Sequence, residues 1–193
     1  MRLLIVFFVF IGNYSSVFAQ GELLPKDERG KFIYYEEVKV VGSSKQLLQE
    51  RLLSFFKKPY KDLRLKSTES DSVFTAAGKL VINKTVLVMS HPSGEILYQL
   101  HSEVKQGKFR FWLTDFSFIP YQRDRYGNFV ATTNRGIPLE NEPGKLNVAQ
   151  WREYQVQTAQ YTAQIARDIK EHMNGKTPVN DPVKEKTVIK KDW

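Results

Sequence analysis

An α+β domain is predicted by this sequence: one antiparallel sheet with two helices packed on one of its faces. Three observations carry the prediction. Five stretches between residues 31 and 118 alternate apolar and polar side chains, the period of a half-buried strand. Short turns link most of them, which suits antiparallel neighbours. Two further stretches, 44–57 and 147–173, repeat apolar residues every three to four positions. Each carries a single apolar stripe that must be buried against another layer, and the economical arrangement puts both helices on the same face of the sheet. The other face is then left open.

The first strand is expected over 31–41. Phe32, Tyr34, Val38 and Val40 share one face, with Glu36 the exception among them, while Ile33, Tyr35, Glu37 and Lys39 share the other. Gly42 breaks it. Ser43 to Gln46 has the S-x-x-Q form of a capping box, which satisfies two free backbone donors at a helix start. Leu47, Leu48, Leu52, Phe55 and Phe56 follow at helical spacing. Lys57 and Lys58 suit the negative end of a helix dipole, and Pro59 stops the helix. Residues 62–68 and 73–84 read as strands, and Gly78 marks a bulge or the close approach of a neighbour. Val86 to Met89 is open to a strand reading, and His91-Pro92-Ser93-Gly94 reads as a turn.

The strand at 95–105 sets Ile96, Tyr98, Leu100 and Val104 on one face. Leu97, Gln99, His101, Glu103 and Lys105 take the other. Gln106-Gly107 suits a two-residue hairpin turn. Strict alternation over 108–118 then puts Phe109, Phe111 and Leu113 on the core face. Arg110, Trp112, Thr114, Phe116 and Phe118 fall on the opposite one. Residues 119–146 are rich in Pro, Gly, Asn and Arg and read as a long loop. Asn147 with Gln150 resembles a second capping box. Trp151, Tyr154, Thr158, Tyr161, Ile165, Ile169 and Met173 form the second stripe, with Val156 alone on the polar side, and Gly175 and Pro178 close the helix. Residues 176–193 lack a stripe, hold several lysines and read as a flexible tail.

The N-terminus sets the expected compartment. Met1-Arg2, the apolar run Leu3–Ile11 and Val17-Phe18-Ala19 have the form of a secretory signal cleaved before Gln20, followed by a polar leader over 20–30. The run is well short of the roughly 20 residues a spanning helix needs. The expectation is an exported protein, periplasmic or secreted, with no transmembrane anchor once the signal is gone. The chain has no cysteine, which excludes disulfides, thiol nucleophiles, thiolate metal sites and a lipid-bearing cysteine at the cleavage site. Its net charge of +8 is spread along the 193 residues. That diffuse excess favours solubility and weak attraction to anionic surfaces, without the concentrated footprint of a nucleic-acid binder.

The order β-α-β-β-β-β-α is that of the TATA-binding-protein-like (TBP-like) fold. The chain resembles a family of exported Bacteroidota proteins carrying a domain of unknown function described as TBP-like. The resemblance rests on LPKDERGKFIYYEEVKVVG at 24–42, followed directly by the capped helix, and on LYQLHSEVKQGKFRFWLTDF at 97–116. It implies the fold and brings no activity, cofactor or site residue with it.

No catalytic, metal or cofactor site is expected. His91, His101 and His172 have no metal-ligand spacing. Ser102 follows His101 directly, so the two point to opposite sides of a strand. Asp115 falls on the core face and is expected to be hydrogen-bonded or exposed near a strand end. The candidate binding residues are instead Arg110, Trp112, Phe116 and Phe118 on the open face, beside His101, because exposed aromatics interleaved with Arg mark contact surfaces. Tyr121, Arg123, Arg125 and Tyr126 in the loop form a second candidate. The competing expectation is that the loop, the tail or a second protomer covers this face. The expected partner is an envelope protein or a glycan, with no nucleic acid, and a homo-oligomer stays open. The function expected is a non-catalytic binding module. The alternative is a small-ligand carrier with a cavity between helices and sheet lined by Phe32, Tyr34, Leu100, Phe111, Trp151 and Tyr161. An enzyme of unknown class comes third.

Overall fold

The computed structural model describes residues 23–57, 63–70, 72–86, 89–141 and 148–175. The expected signal, Gln20–Glu22 of the leader, Pro59, Asn147 with its capping box, Pro178 and the tail lie outside the described residues. The order is β1 (Tyr34–Lys39), α1 (Lys45–Lys57), β2 (Arg64–Ser70), β3 (Val73–Val86), β4 (Met89–Lys105), β5 (Lys108–Arg123), β6 (Phe129–Ala131), β7 (Ile137–Pro138) and α2 (Val148–Met173). The sheet runs β1-β5-β4-β3-β2, with β6 and β7 also paired to β5, and every pairing is antiparallel. β1 covers one edge of β5 over Lys108–Leu113, and β7 and β6 take over that edge from Ser117 to Arg123.

Both helices pack on one face, as the two stripes predict. Leu48, Leu52 and Phe55 of α1 and Ile165, Ile169 and Met173 of α2 meet Ile82, Leu100 and Phe111 in a single continuous core. Glu36, the polar exception on the core side of β1, is explained by α2. Lys170 Nζ donates to its Oε1 at 2.9 Å, and Tyr34 Oη donates to its Oε2 at 2.8 Å. Burial and that carboxylate push the Tyr34 hydroxyl up to about 12.

The start of α1 differs from expectation by one residue. Ser44, not Ser43, is the cap: its Oγ accepts from Leu47 N at 3.2 Å. Gln46 turns instead to Glu50, and the Lys45 amide donates to Gln106 of the β4–β5 turn at 3.1 Å. A side chain distant in sequence thus does part of the work a local capping box would do.

Two expectations about loops are overturned. His91-Pro92-Ser93-Gly94 is not a turn but the first part of β4, with the pairing slipping between Ile82↔Gly94 and Asn83↔Pro92. The β5 ladder begins only at Gly94, so Pro92 lacks a backbone donor where none is required of it. Residues 119–146 are likewise not one long loop. β5 continues to Arg123 and β6 folds back on it. Beyond that, buried Leu139 bonds its N–H to Phe116 O, and its carbonyl accepts from Trp151 Nε1 and Gln155 Nε2, both at 3.1 Å.

The largest departure lies in β5. Leu97 pairs with Ser117 and Gln99 with Thr114, so Tyr98 alone stands opposite Asp115 and Phe116. This is a β-bulge, and Asp115 takes a left-handed conformation with φ of 56°. Its carboxylate, expected on the core face, turns out to an ion pair with Lys31 Nζ. The extra residue reverses the alternation. Phe116 and Phe118, expected on the open face, are 1% and 6% exposed and lie in the core. Phe116 meets Tyr98, and Phe118 stacks on Tyr154 and meets Trp151 of α2.

Candidate functional site

The open face is built from rows of side chains that cross the strands, because directly paired residues of antiparallel strands point the same way. One row is Tyr35–Trp112–His101–Thr75, from β1, β5, β4 and β3. The next is Glu37–Arg110–Glu103, and beyond it lies Lys39–Lys108–Lys105 at the end of the β4–β5 hairpin.

The His101 ring stacks on Trp112 with centroids 5.2 Å apart and planes 15° from parallel. Its Nδ1 lies 3.1 Å from Thr75 Oγ1. Arg110 reaches toward the Trp112 ring, 5.8 Å from its centroid, and donates through Nε to Glu103 at 2.7 Å. Glu103 and the Tyr35 hydroxyl raise the Arg110 pKa further, so it is a permanent cation. Lys108 Nζ donates to Glu37 at 2.9 Å and holds that carboxyl below its usual range. Tyr35 is 51% exposed and Trp112 half-buried. The arrangement offers ring edges, guanidinium and ammonium donors and paired carboxylates. These are means of recognition, with no general base aimed at a nucleophile.

Of the residues chosen from sequence, Arg110, Trp112 and His101 come together on this face. Phe116 and Phe118 do not. Tyr121 lies on the same face but toward the opposite end of β5, donating to Glu95 at 2.7 Å, and Glu95 also holds Lys79 at 3.1 Å. Arg123 sits over Phe129, 4.9 Å from the ring centroid. Arg125 lies beside Tyr126, which is 79% exposed on a β5–β6 tip braced by Asp124. At ~3.3 Å per strand residue the end of β5 at Arg123 is already about 35 Å from Trp112, and the tip lies beyond it. The two candidate surfaces are therefore separate. Tyr35, Glu37 and Glu103 complete the face and were not singled out as site residues. Alternation alone puts them on it, but only the strand register makes them neighbours of Trp112.

Of the proposed carrier lining, Leu100 and Phe111 are fully buried in the continuous core, whereas Tyr34 borders one surface depression beside α2 and Phe32 with Trp151 borders another. Among the described residues no group of three or more His, Asp or Glu is placed to hold a metal, and no helix is long and apolar enough to cross a membrane. One serine–histidine pair does form: Ser54 Oγ and His172 Nε2 are 2.6 Å apart between α1 and α2. Ser54 donates its own proton to Arg51 O at 2.7 Å, so its oxygen is left to accept from His172. That is the reverse of a nucleophile facing a base.

Burial of His172 holds its pKa below the ordinary 6.5. The unfolded chain therefore takes up a proton there before the folded one does. Its contribution to stability is complete above 6.5 and is lost as the pH falls from 6.5 through the lower folded value. Urea midpoints measured on both sides of 6.5 should fall on the acid side, and His172→Gln should flatten that decline. An equal decline in both proteins would assign it to other groups.

Comparison with known proteins agrees with this architecture. The family model described as a domain of unknown function (DUF4468) with TBP-like fold matches residues 34–119, from the start of β1 to the far side of the β5 bulge. The fold is TBP-like, and the stretch from β1 to the β5 bulge is similar to the DUF4468 family. The crystal structure of a TBP-like protein from Parabacteroides distasonis is similar at a TM-score of 0.60 and 14% identity, over 79% of this chain and 97% of that one. A DUF4468 family protein from Bacteroides ovatus is similar at a TM-score of 0.57 and 14% identity, over 82% of this chain and 94% of its own. At that identity the likeness is one of fold. No curated protein matches the chain.

Proposed function

We propose that this is an exported, non-catalytic envelope protein that holds a partner on the open face of its sheet, with the β5–β6 tip as a second point of contact. The observation that carries the reading is the row Tyr35–Trp112–His101 with Arg110 beside it, on the side of the sheet away from both helices. An aromatic and an arginine in contact, neither needed to fill the core, set a stacking surface beside a fixed cation, the means to hold an envelope protein or a glycan. Export is supported by the form of residues 1–19.

The test is capture from envelope extract by the wild type and by the Arg110→Ala/Trp112→Ala double variant. The variant should lose the captured partner while its circular dichroism and urea midpoint show a folded protein. Undiminished capture by a folded double variant overturns the reading. Arg125→Ala/Tyr126→Ala examines the tip in the same assay.

A further inference from the structure

The row Lys39–Lys108–Lys105 is an electrostatic anomaly. Lys39 pairs directly with Lys108, and Lys108 with Lys105. All three leave the sheet on the open side, since Val38, Phe109 and Val104 next to them point to the core. Like charges directly opposite one another across strands are destabilising. A lysine on edge strand β1 can serve to block edge-to-edge aggregation. β4 and β5 are interior strands, so that purpose does not explain Lys105 or Lys108.

The neighbouring acids do not neutralise the row. Glu37 is shared with Lys108, and Glu103 is taken by Arg110. Among the described residues neither Lys39 nor Lys105 forms an ion pair within 4 Å, and both are exposed; Lys39 acts on Glu37 only as the weakest of three cations after Lys108 and Arg110. Glu37, Glu103, Lys105, Lys108 and Arg110 together line one shallow depression. Elsewhere on the face Lys79 is matched by Glu95 and Lys31 by Asp115, and the exposed Arg64 and Lys66 lie apart on β2, at the far edge of the sheet. The uncompensated positive charge at this end of the sheet is thus concentrated at the hairpin.

We propose that this end of the open face binds an acidic polysaccharide, whose carboxylates lie along the cross-strand row of lysines. The inference rests on the open-face reading above and gives its partner a chemical class. Three lysines that spring from adjacent strands about 5 Å apart suit an extended chain bearing regularly repeated anions, with Lys39 and Lys105 flanking the Lys108–Glu37 pair. Exposed Val41, just past Lys39, is a single apolar side chain beside the row, too little to hold the face in a bilayer, which argues against an anionic membrane surface. A protein interface would place a desolvated apolar patch at its centre, where this end of the face has charges. Nucleic acid is the remaining polyanion, and the expected export disfavours it.

The test is titration of the purified full chain with polygalacturonate, with neutral dextran, a DNA duplex and phosphatidylglycerol vesicles as the other arms. Polygalacturonate should bind and dextran should not. Lys39→Gln/Lys105→Gln should weaken binding about tenfold and reduce the dependence of log K on log salt by roughly two ion equivalents. The same variant should keep or raise its thermal midpoint, because it relieves repulsion in the folded state. A control with the same charge change on the helix side, Lys57→Gln/Arg152→Gln, should bind as the wild type does. Equal weakening in both double variants would reduce the effect to diffuse charge and overturn the proposal. Tighter binding to DNA or to vesicles would overturn it as well. If polygalacturonate fails to bind while envelope capture still needs Arg110 and Trp112, the polysaccharide assignment falls and the open-face reading stands. If capture is also indifferent to those two residues, both fall.

Discussion

Phe116→Ala is expected to lower the unfolding free energy by about 3–5 kcal/mol, whereas Trp112→Ala should cost about 1 kcal/mol. The two residues lie on one strand and both are large aromatics. Phe116 is 1% exposed and meets Tyr98, whose ring in turn meets Tyr161 of α2. Its removal leaves a cavity between sheet and helix that the fixed strands cannot close. Trp112 is half-buried on the open face, and its loss forfeits mainly the stack on His101. Urea denaturation of the two variants measures the difference directly. If β5 ran without the bulge, Phe116 would share the face of Trp112 and both changes would be mild. Comparable midpoints would therefore remove the bulge at Asp115 from the account.

The second large effect is expected at Gly94. A Cβ there would overlap the carbonyl oxygen of Ile119 and the Phe118 ring. The oxygen belongs to the backbone of β5, so no side-chain rotation can make room and the two central strands must separate. Gly94→Ala should cost about 3 kcal/mol, the upper part of the range for overpacking. Gly78→Ala meets a side chain instead, the Tyr98 ring, which is buried and held by Phe116 and Tyr161. Its cost should be about 1–3 kcal/mol. Gly42 provides the contrast. It has a φ of 81° and open space around the missing Cβ, so Gly42→Ala should cost only about 1 kcal/mol of backbone strain. Midpoints that place Gly42→Ala below Gly94→Ala would contradict the close approach of β4 and β5.

Much of the architecture is legible without coordinates because each element repeats its own period. The stripes of α1 and α2 and the alternation of β1, β4 and the first half of β5 all appear in the chain order of residues. Gly78 is legible too, as a position where a neighbour comes close. Other features are invisible locally. Ser43 and Ser44 are both acceptable caps, and the packing of the Gln106 turn against the helix start accompanies the use of Ser44. His91-Pro92-Ser93-Gly94 has the composition of a turn, yet pairing with β3 keeps it extended.

The candidate site divides along the same line. Arg110, Trp112 and His101 share a face by alternation alone, so the sequence by itself determined that an aromatic–arginine cluster leaves the sheet on the side away from the helices. Phe116 and Phe118 were misplaced because one inserted residue inverts every side chain that follows it. Leu113-Thr114-Asp115-Phe116 does interrupt the apolar alternation with two polar residues, but a strand ending there would look the same. Only the tertiary structure decided between them, since a bulge exists relative to a partner strand: Tyr98 stands opposite two residues, and that count needs both strands. The lysine row has the same origin. Lys39, Lys105 and Lys108 are unremarkable where they occur in the chain, and they become three repelling neighbours only when the β1–β5 and β4–β5 registers bring them side by side. Periodicity is a property of one segment and can be read from it; register is a property of pairs, and it is register that assembled this surface.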